Sequence, residues 1–431
     1  MGPISLRRPG APVDRTGDRI VAASSIGLAV AFVAAAGLAV LLPEPVRHGL
    51  WLSLHLALAG GAATAIAGMM PFFVAAFAAA PPADPRLRAA AVAAVSLGAL
   101  CVAGGVVTSQ TWLALLGGVI FISGIVLTGS ATIRPVSSGL GPARGLVTRS
   151  YLVGLVAVGT GASLATLLLA GWAPVASSWA QLKPAHAWLN LFGFVSLVIA
   201  TTLLHFFPTV AGARIPNHPS GRIAVSALAA GAWLAALGYA GSVDLAVTAG
   251  ALLALVGGLA LGWYEASVWR RRARWTTDLA WHTFALGGLA SASAWFIVGL
   301  GFAAIPAAVS GASPTGWDID RVIAPLVGGW VGMTLLASAT HLIPAVGPGD
   351  PPAHARQRHV LGRAAVVRLV ALDLGVGLVI LGQLVGQPAI ATVGLVVLAL
   401  GYGATAALIA LAVAEGIGWA RARGARQPGR P

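Results

Sequence analysis

Long apolar runs broken by short polar segments organise the whole chain. They cover residues 20–42, 50–79, 89–108, 112–132, 151–172, 185–210, 223–240, 244–269, 280–309, 322–346, 366–386 and 389–417. Each is about 20 residues or longer, enough for a helix to cross the roughly 30 Å hydrocarbon core of a bilayer. The pattern predicts an all-α integral membrane fold: 12 transmembrane helices in one membrane domain over 20–417, flanked by basic tails at 1–19 and 418–431.

Charge orients the helices. With the N-terminus inside, every one of the 26 Lys and Arg residues except Arg47, Lys183 and Arg321 falls in a segment on the cytoplasmic side. Basic residues in short loops stay inside, so both termini are expected in the cytoplasm and the chain in the cell (inner) membrane. The net charge of +14 is thereby a topology signal, and nucleic acid is not an expected partner. Arg7 and Arg8 resemble the pair of a twin-arginine export signal, but Asp14 and Asp18 intervene, and removing the first span would break the alternation. Composition agrees: 58% apolar residues, 9% charged residues and a mean hydropathy of +0.88 exclude a soluble domain. The single cysteine, Cys101, excludes a disulfide framework within one chain. Trp51, Trp112, Trp172, Trp269 and Trp419 mark span ends as an aromatic belt against the lipid bilayer.

Repetition then changes the picture. The sixth span carries Gly193-Phe194-Val195 and His205-Phe206-Phe207-Pro208; the tenth carries Gly329-Trp330-Val331 and His341-Leu342-Ile343-Pro344, 136 residues on. A weaker pair links Glu265 and Trp269 at the end of the eighth span with Glu415 and Trp419 at the end of the twelfth. The second span opens with His55 much as the sixth opens with His186. Matches four helices apart suggest three successive four-helix units.

Twelve helices, a pseudo-threefold set of four-helix arcs, and histidines on the second, sixth and tenth helices resemble the large subunit of the haem-copper oxidases. The run His55-Leu56-Ala57-Leu58, followed by Met69-Met70-Pro71-Phe72-Phe73, is similar to that family's haem-carrying second helix, and His186 falls where the family places a copper ligand. Ala187, Trp188, Leu189 and Asn190 follow His186 in place of the family's glutamate and tyrosine. Asp318, Asp320 and Arg321 stand where the tenth helix would carry outer histidines. The resemblance therefore points to a divergent offshoot such as the NnrS-type proteins, and implies haem and copper without complete oxygen-reducing chemistry.

Topology sorts the histidines by depth. His55 and His186 lie near the outer face; His205, His282 and His341 lie near the inner face. Two imidazoles from facing helices suit a six-coordinate haem iron, and three suit a metal such as copper. The expectation is haem on His55 and His186 and a metal on His205, His282 and His341, served by a redox partner protein. Proline three residues after His205 and His341 frees a backbone carbonyl nearby, and Thr201, Thr202 and Ser338 are candidate partners for the ring nitrogens. A membrane histidine equally serves by hydrogen-bonding across a helix interface. His48, His218, His354 and His359 fall in loops. Asp373, with Arg368 five residues before it, is the deepest carboxylate, either a proton or ion site or a member of a structural ion pair or interhelical hydrogen bond; Glu265 and Glu415 read as boundary residues.

Two other classes fit the same layout. A 12-helix secondary transporter for a small solute or metal ion suits helices interrupted by Pro71, Pro208, Pro306 and Pro344. An assembly factor delivering haem or copper shares the metal expectation but not turnover. No phosphate-binding loop or nucleophile elbow is present.

Overall fold

The computed structural model describes residues 16–78, 80–138, 145–216 and 218–426. Among these are 12 helices long and apolar enough to cross a membrane, and no strand, so the fold is that of a multi-pass all-α membrane protein. Arg7 and Arg8, and the ends of both expected tails, lie outside the described residues. The last helix continues to Arg426, so the segment expected as a tail from 418 begins as helix. We call the side bearing the two described ends the terminal face, and the other the opposite face.

Three spans form the interior. The second (Glu44–Phe77), sixth (Trp179–Ala211) and tenth (Pro314–Val346) bury 72%, 78% and 72% of their apolar windows, while no other span exceeds 56%. Each contains a π-helical stretch, Leu56–Ala62, Trp188–Ser196 and Ala324–Gly332, in its opposite-face half. Each also contains a proline in its terminal-face half, at Pro71, Pro208 and Pro344. Proline releases the carbonyl four residues back, and a buried carbonyl in an apolar interior needs a donor. Neighbouring spans supply it: Tyr264 donates from its hydroxyl to the Leu204 carbonyl, and Trp281 from Nε1 to the Thr340 carbonyl at 2.7 Å. Near Pro71 the buried Arg88 donates to the Gly68 carbonyl at 3.0 Å.

The remaining packing repeats three times. The third and fourth spans (Pro85–Val107, Thr111–Pro135), the seventh and eighth (Ser220–Ala240, Asp244–Trp269) and the eleventh and twelfth (Ala365–Leu384, Pro388–Trp419) form tight hairpins. Gly98 and Gly105 face Gly117 and Gly124 in the first hairpin. Gly231 and Gly238 face Gly250 and Gly257 in the second, and Gly375 and Gly382 face Gly394 in the third. A Cβ at any of them would come within 3.0 Å of the partner's backbone. Spacing of two helical turns keeps such glycines on one face, where small residues let membrane helices approach closely. The turns repeat as well, each closed by one residue with positive φ, at Ser109, Ser242 and Gly386.

This register corrects one expectation. The hairpin glycines recur 133 and then 144 residues on, whereas Glu265 and Glu415 are 150 apart. That resemblance is therefore six residues out of step, and the positions equivalent to Glu265 are Thr132 and Ile409, buried like Glu265 itself. The histidine repeat at 136 stays in step with the π-helical segments of the sixth and tenth spans.

The units join in a ring. The fourth span packs on the fifth (Leu146–Leu169), the eighth on the ninth (Leu279–Ser310), and the first (Ile20–Ala39) closes against the tenth and twelfth. One hydrophobic core runs through all 12 spans. A short helix, Pro351–Gly362, connects the tenth and eleventh spans and buries Ala353, Gln357, Val360 and Leu361. His354 and His359, expected in a loop, thus lie on a helix whose apolar face packs against the last span.

Candidate functional site: two layers of histidine

His55 ends the short helix Trp51–His55, immediately before the first π-helical stretch, and His186 lies two residues before the second. The two lie on the second and sixth spans, in the half of the molecule toward the opposite face. The Nδ1–H of His55 donates to the Trp51 carbonyl at 2.7 Å, one helical turn back, and the Trp51 ring stacks on the imidazole at 4.2 Å. The Nδ1–H of His186 donates to the Gly161 carbonyl of the fifth span at 2.9 Å. Asn190 lies beside it, donating to the His186 carbonyl at 2.7 Å. A Cβ at Gly161 would meet the Asn190 amide, which would have to shift. Both imidazoles are half-buried, and neither Nε2 makes a hydrogen bond. These imidazoles would suit a metal-ligating role: one nitrogen is tied to a carbonyl, which fixes the tautomer and orients the ring, and Nε2 remains free.

The terminal-face histidines are held differently. His282 is stacked on Trp275 at 4.1 Å and meets Trp281 edge-on at 4.6 Å. His341 stacks on the other indole contact, Trp281, at 5.1 Å, and meets Phe206 edge-on at 5.6 Å. His205 stacks on Phe77 at 4.5 Å. Phe206, Phe73 and Phe77 complete the series, at 5.7 Å for each step, so aromatic rings run without a break from Trp275 to His205. All three histidines have a buried Nδ1 with no hydrogen-bond partner. Among the described residues no three His, Cys, Asp or Glu side chains converge as a metal-holding group. The trio expected at His205, His282 and His341 is therefore not gathered: Trp281 contacts both His282 and His341, and His205 packs on the second span.

The proposed ring-nitrogen partners also differ from expectation. Thr202 donates to the Val198 carbonyl and pairs with the Tyr151 hydroxyl at 2.8 Å, and Thr201 Oγ1 has no partner. Ser338 lines a small apolar cavity of about 110 Å³ enclosed by the first, second, sixth and tenth spans, with Met69, Met70, Thr202 and Thr334. Asp373 makes no ion pair with Arg368. It accepts from the Ser291 hydroxyl and from Trp295 Nε1 at 2.8 Å, while Arg368 donates to the Arg363 and Leu361 carbonyls.

Sequence reasoning missed Glu265. It is 4% exposed, beside Ser293 of the ninth span, with Oε1 unpartnered, and so is an interior group rather than a boundary residue. Glu415 behaves as expected at an interface, exposed and paired with Arg356 at 3.6 Å. No family model and no curated protein matches this chain.

Proposed function

We propose that this polytopic membrane protein binds haem between His55 and His186, in a redox or metal-handling role, with a layout similar to the haem-copper oxidase large subunit. One observation supports the reading above the others. Of the five membrane histidines, only these two have Nδ1 committed to a backbone carbonyl and Nε2 free, and they come from two central spans near the same face. A haem with two imidazole ligands supplies one-electron transfer. The chain's own residues prepare the ligands: the Trp51 and Gly161 carbonyls draw on Nδ1–H and make Nε2 more basic, and Trp51 fixes the His55 ring by stacking. The charge distribution supports an outer position for this layer in the cell membrane, with both termini cytoplasmic, and a redox partner protein would deliver electrons there.

The terminal-face histidines fit copper poorly, since no donor set converges and their rings are packed against aromatic faces. We carry haem forward and derive no step through copper.

The test is the absorption spectrum of detergent-purified protein made under haem-replete conditions, oxidised and dithionite-reduced, with metal analysis of the same sample. A Soret band with sharp reduced bands is expected. Colourless protein overturns the proposal.

A secondary transporter is the second reading, favoured by the cavity at the meeting of the first, second, sixth and tenth spans. Units of four spans all insert in the same orientation, so the visible repeat is not the inverted kind on which many alternating-access folds are built. Colourless protein that accumulates a small solute in vesicles would favour it.

A further inference from the structure

Where the connecting helix Pro351–Gly362 lies against the end of the twelfth span, the two leave an open groove of about 490 Å³. Arg356, Arg363, Glu415 and Trp419 form its polar rim, and Val360, Leu411 and Ala414 form an apolar floor leading up the span. We propose that this groove binds one anionic phospholipid, its phosphodiester between the two guanidinium groups and an acyl chain along the floor.

The charges of the region leave these two arginines available. Arg358 is committed to Asp278 at 2.6 Å, and Arg368 turns inward to donate to backbone carbonyls. Arg363 is exposed, and its guanidinium makes no hydrogen bond or ion pair. Arg356 meets Glu415 only at 3.6 Å, with both side chains about half exposed, a contact of the kind contributing little. Its guanidinium carbon lies 4.1 Å over the Trp419 ring, which orients the planar donor fork. The Trp419 ring thereby forms one wall of the groove beside the Arg356 guanidinium. Free donors and one unpaired positive charge call for a phosphate-type acceptor. The floor calls for a hydrocarbon chain attached to it, which a free anion lacks. Trp419 closes the last span, placing the rim at headgroup depth, and basic pockets between membrane helices on the cytoplasmic side hold anionic headgroups by the same physics.

The experiment is native mass spectrometry of the full chain in detergent, titrated with phosphatidylglycerol, with phosphatidylcholine, and with inorganic phosphate as competitor. Wild-type protein should retain one phosphatidylglycerol beyond its phosphatidylcholine complement, and phosphate should not displace it. Arg363→Gln should weaken that lipid about fivefold, and R356Q/R363Q should abolish the extra equivalent. Glu415→Gln should tighten it by removing the competing carboxylate. The Arg363 side chain makes no hydrogen bond or ion pair, and its backbone carbonyl, which accepts from Arg368, is kept in R363Q, so this variant is a folded control should the double variant aggregate. Unchanged affinity in a monodisperse R363Q overturns the proposal. Equal retention of phosphatidylcholine does so too, and displacement by inorganic phosphate shows an anion site that does not read the lipid.

Discussion

The two layers of histidine differ less in residue type or burial than in what their Nδ1 atoms do. Near the opposite face His55 and His186 each spend Nδ1–H on a carbonyl and leave Nε2 unbonded. Near the terminal face His205, His282 and His341 leave Nδ1 buried without a partner, their rings pressed against Phe77, Trp275 and Trp281. A ligating imidazole needs one nitrogen anchored so that the other is aimed, and a ring serving as a packing plate needs only a flat neighbour. Depth in the membrane and count of histidines, which treat both layers alike, therefore do not identify a site.

The largest effect that can break this contrast is spectral. His55→Ala and His186→Ala should each abolish the Soret band, while His282→Ala and His341→Ala should leave it intact; both are read from the spectrum of purified variants normalised to protein. Loss of the band in a terminal-face variant that stays monodisperse would mean the layers had been assigned the wrong way round. Second in size is Trp281→Ala. This buried indole stacks on His341, meets His282 edge-on and donates to the Thr340 carbonyl that Pro344 sets free. Removing it should cost about 3–5 kcal/mol by lost packing, with the unpaired carbonyl included, seen as a fall in the thermal unfolding midpoint without change in haem content per folded molecule.

The scaffold was more legible than the site. Twelve spans follow from apolar length and alternating arginine, because a bilayer imposes both directly. The histidine and proline repeat at 136 residues was visible because those residue types are rare in such helices. The glycine ladders were not, although Gly98, Gly231 and Gly375 and their partners are plain in the sequence. In a chain with 56 glycines, only the structure shows which face another backbone. The π-helical stretches carry no residue signature, being set by tertiary packing. Of the two structural roles open to Asp373, the interhelical hydrogen bond holds and the ion pair with Arg368 does not, because helical geometry puts i and i+5 on different faces and each finds partners on other segments. Glu265 beside Trp269 looked like a boundary pair because a tryptophan at a span end usually faces the headgroups. Glu265 instead lies on the face of the eighth span packed against the ninth.

A smaller effect sharpens the opposite-face half of the comparison. Gly161→Ala places a methyl where the Asn190 amide sits, disturbing the carbonyl that orients His186. Overpacking of this kind costs about 1–3 kcal/mol, and here it should act on haem retention more than on the fold. Titration of the apo-protein with haem would show a weaker, spectrally altered complex. An unaltered complex would mean that the Gly161 tether does not aim the ligand.

The smallest expected effect is the most discriminating for the terminal-face layer. In His341→Phe a flat ring replaces a flat ring between Trp281 and Phe206. Because His341 Nδ1 has no partner, no hydrogen bond at that nitrogen is lost. Near-isosteric exchanges in well-packed interiors cost less than about 1.5 kcal/mol, so the unfolding midpoint should move by no more than a few degrees and the haem spectrum not at all. A metal site on this histidine predicts the opposite pattern: an intact fold with one equivalent of metal missing, since phenylalanine preserves shape and removes the donor. Midpoint and metal content measured on the same preparation thus separate a ring that packs from a ring that ligates, where an alanine variant would confound the two by opening a cavity.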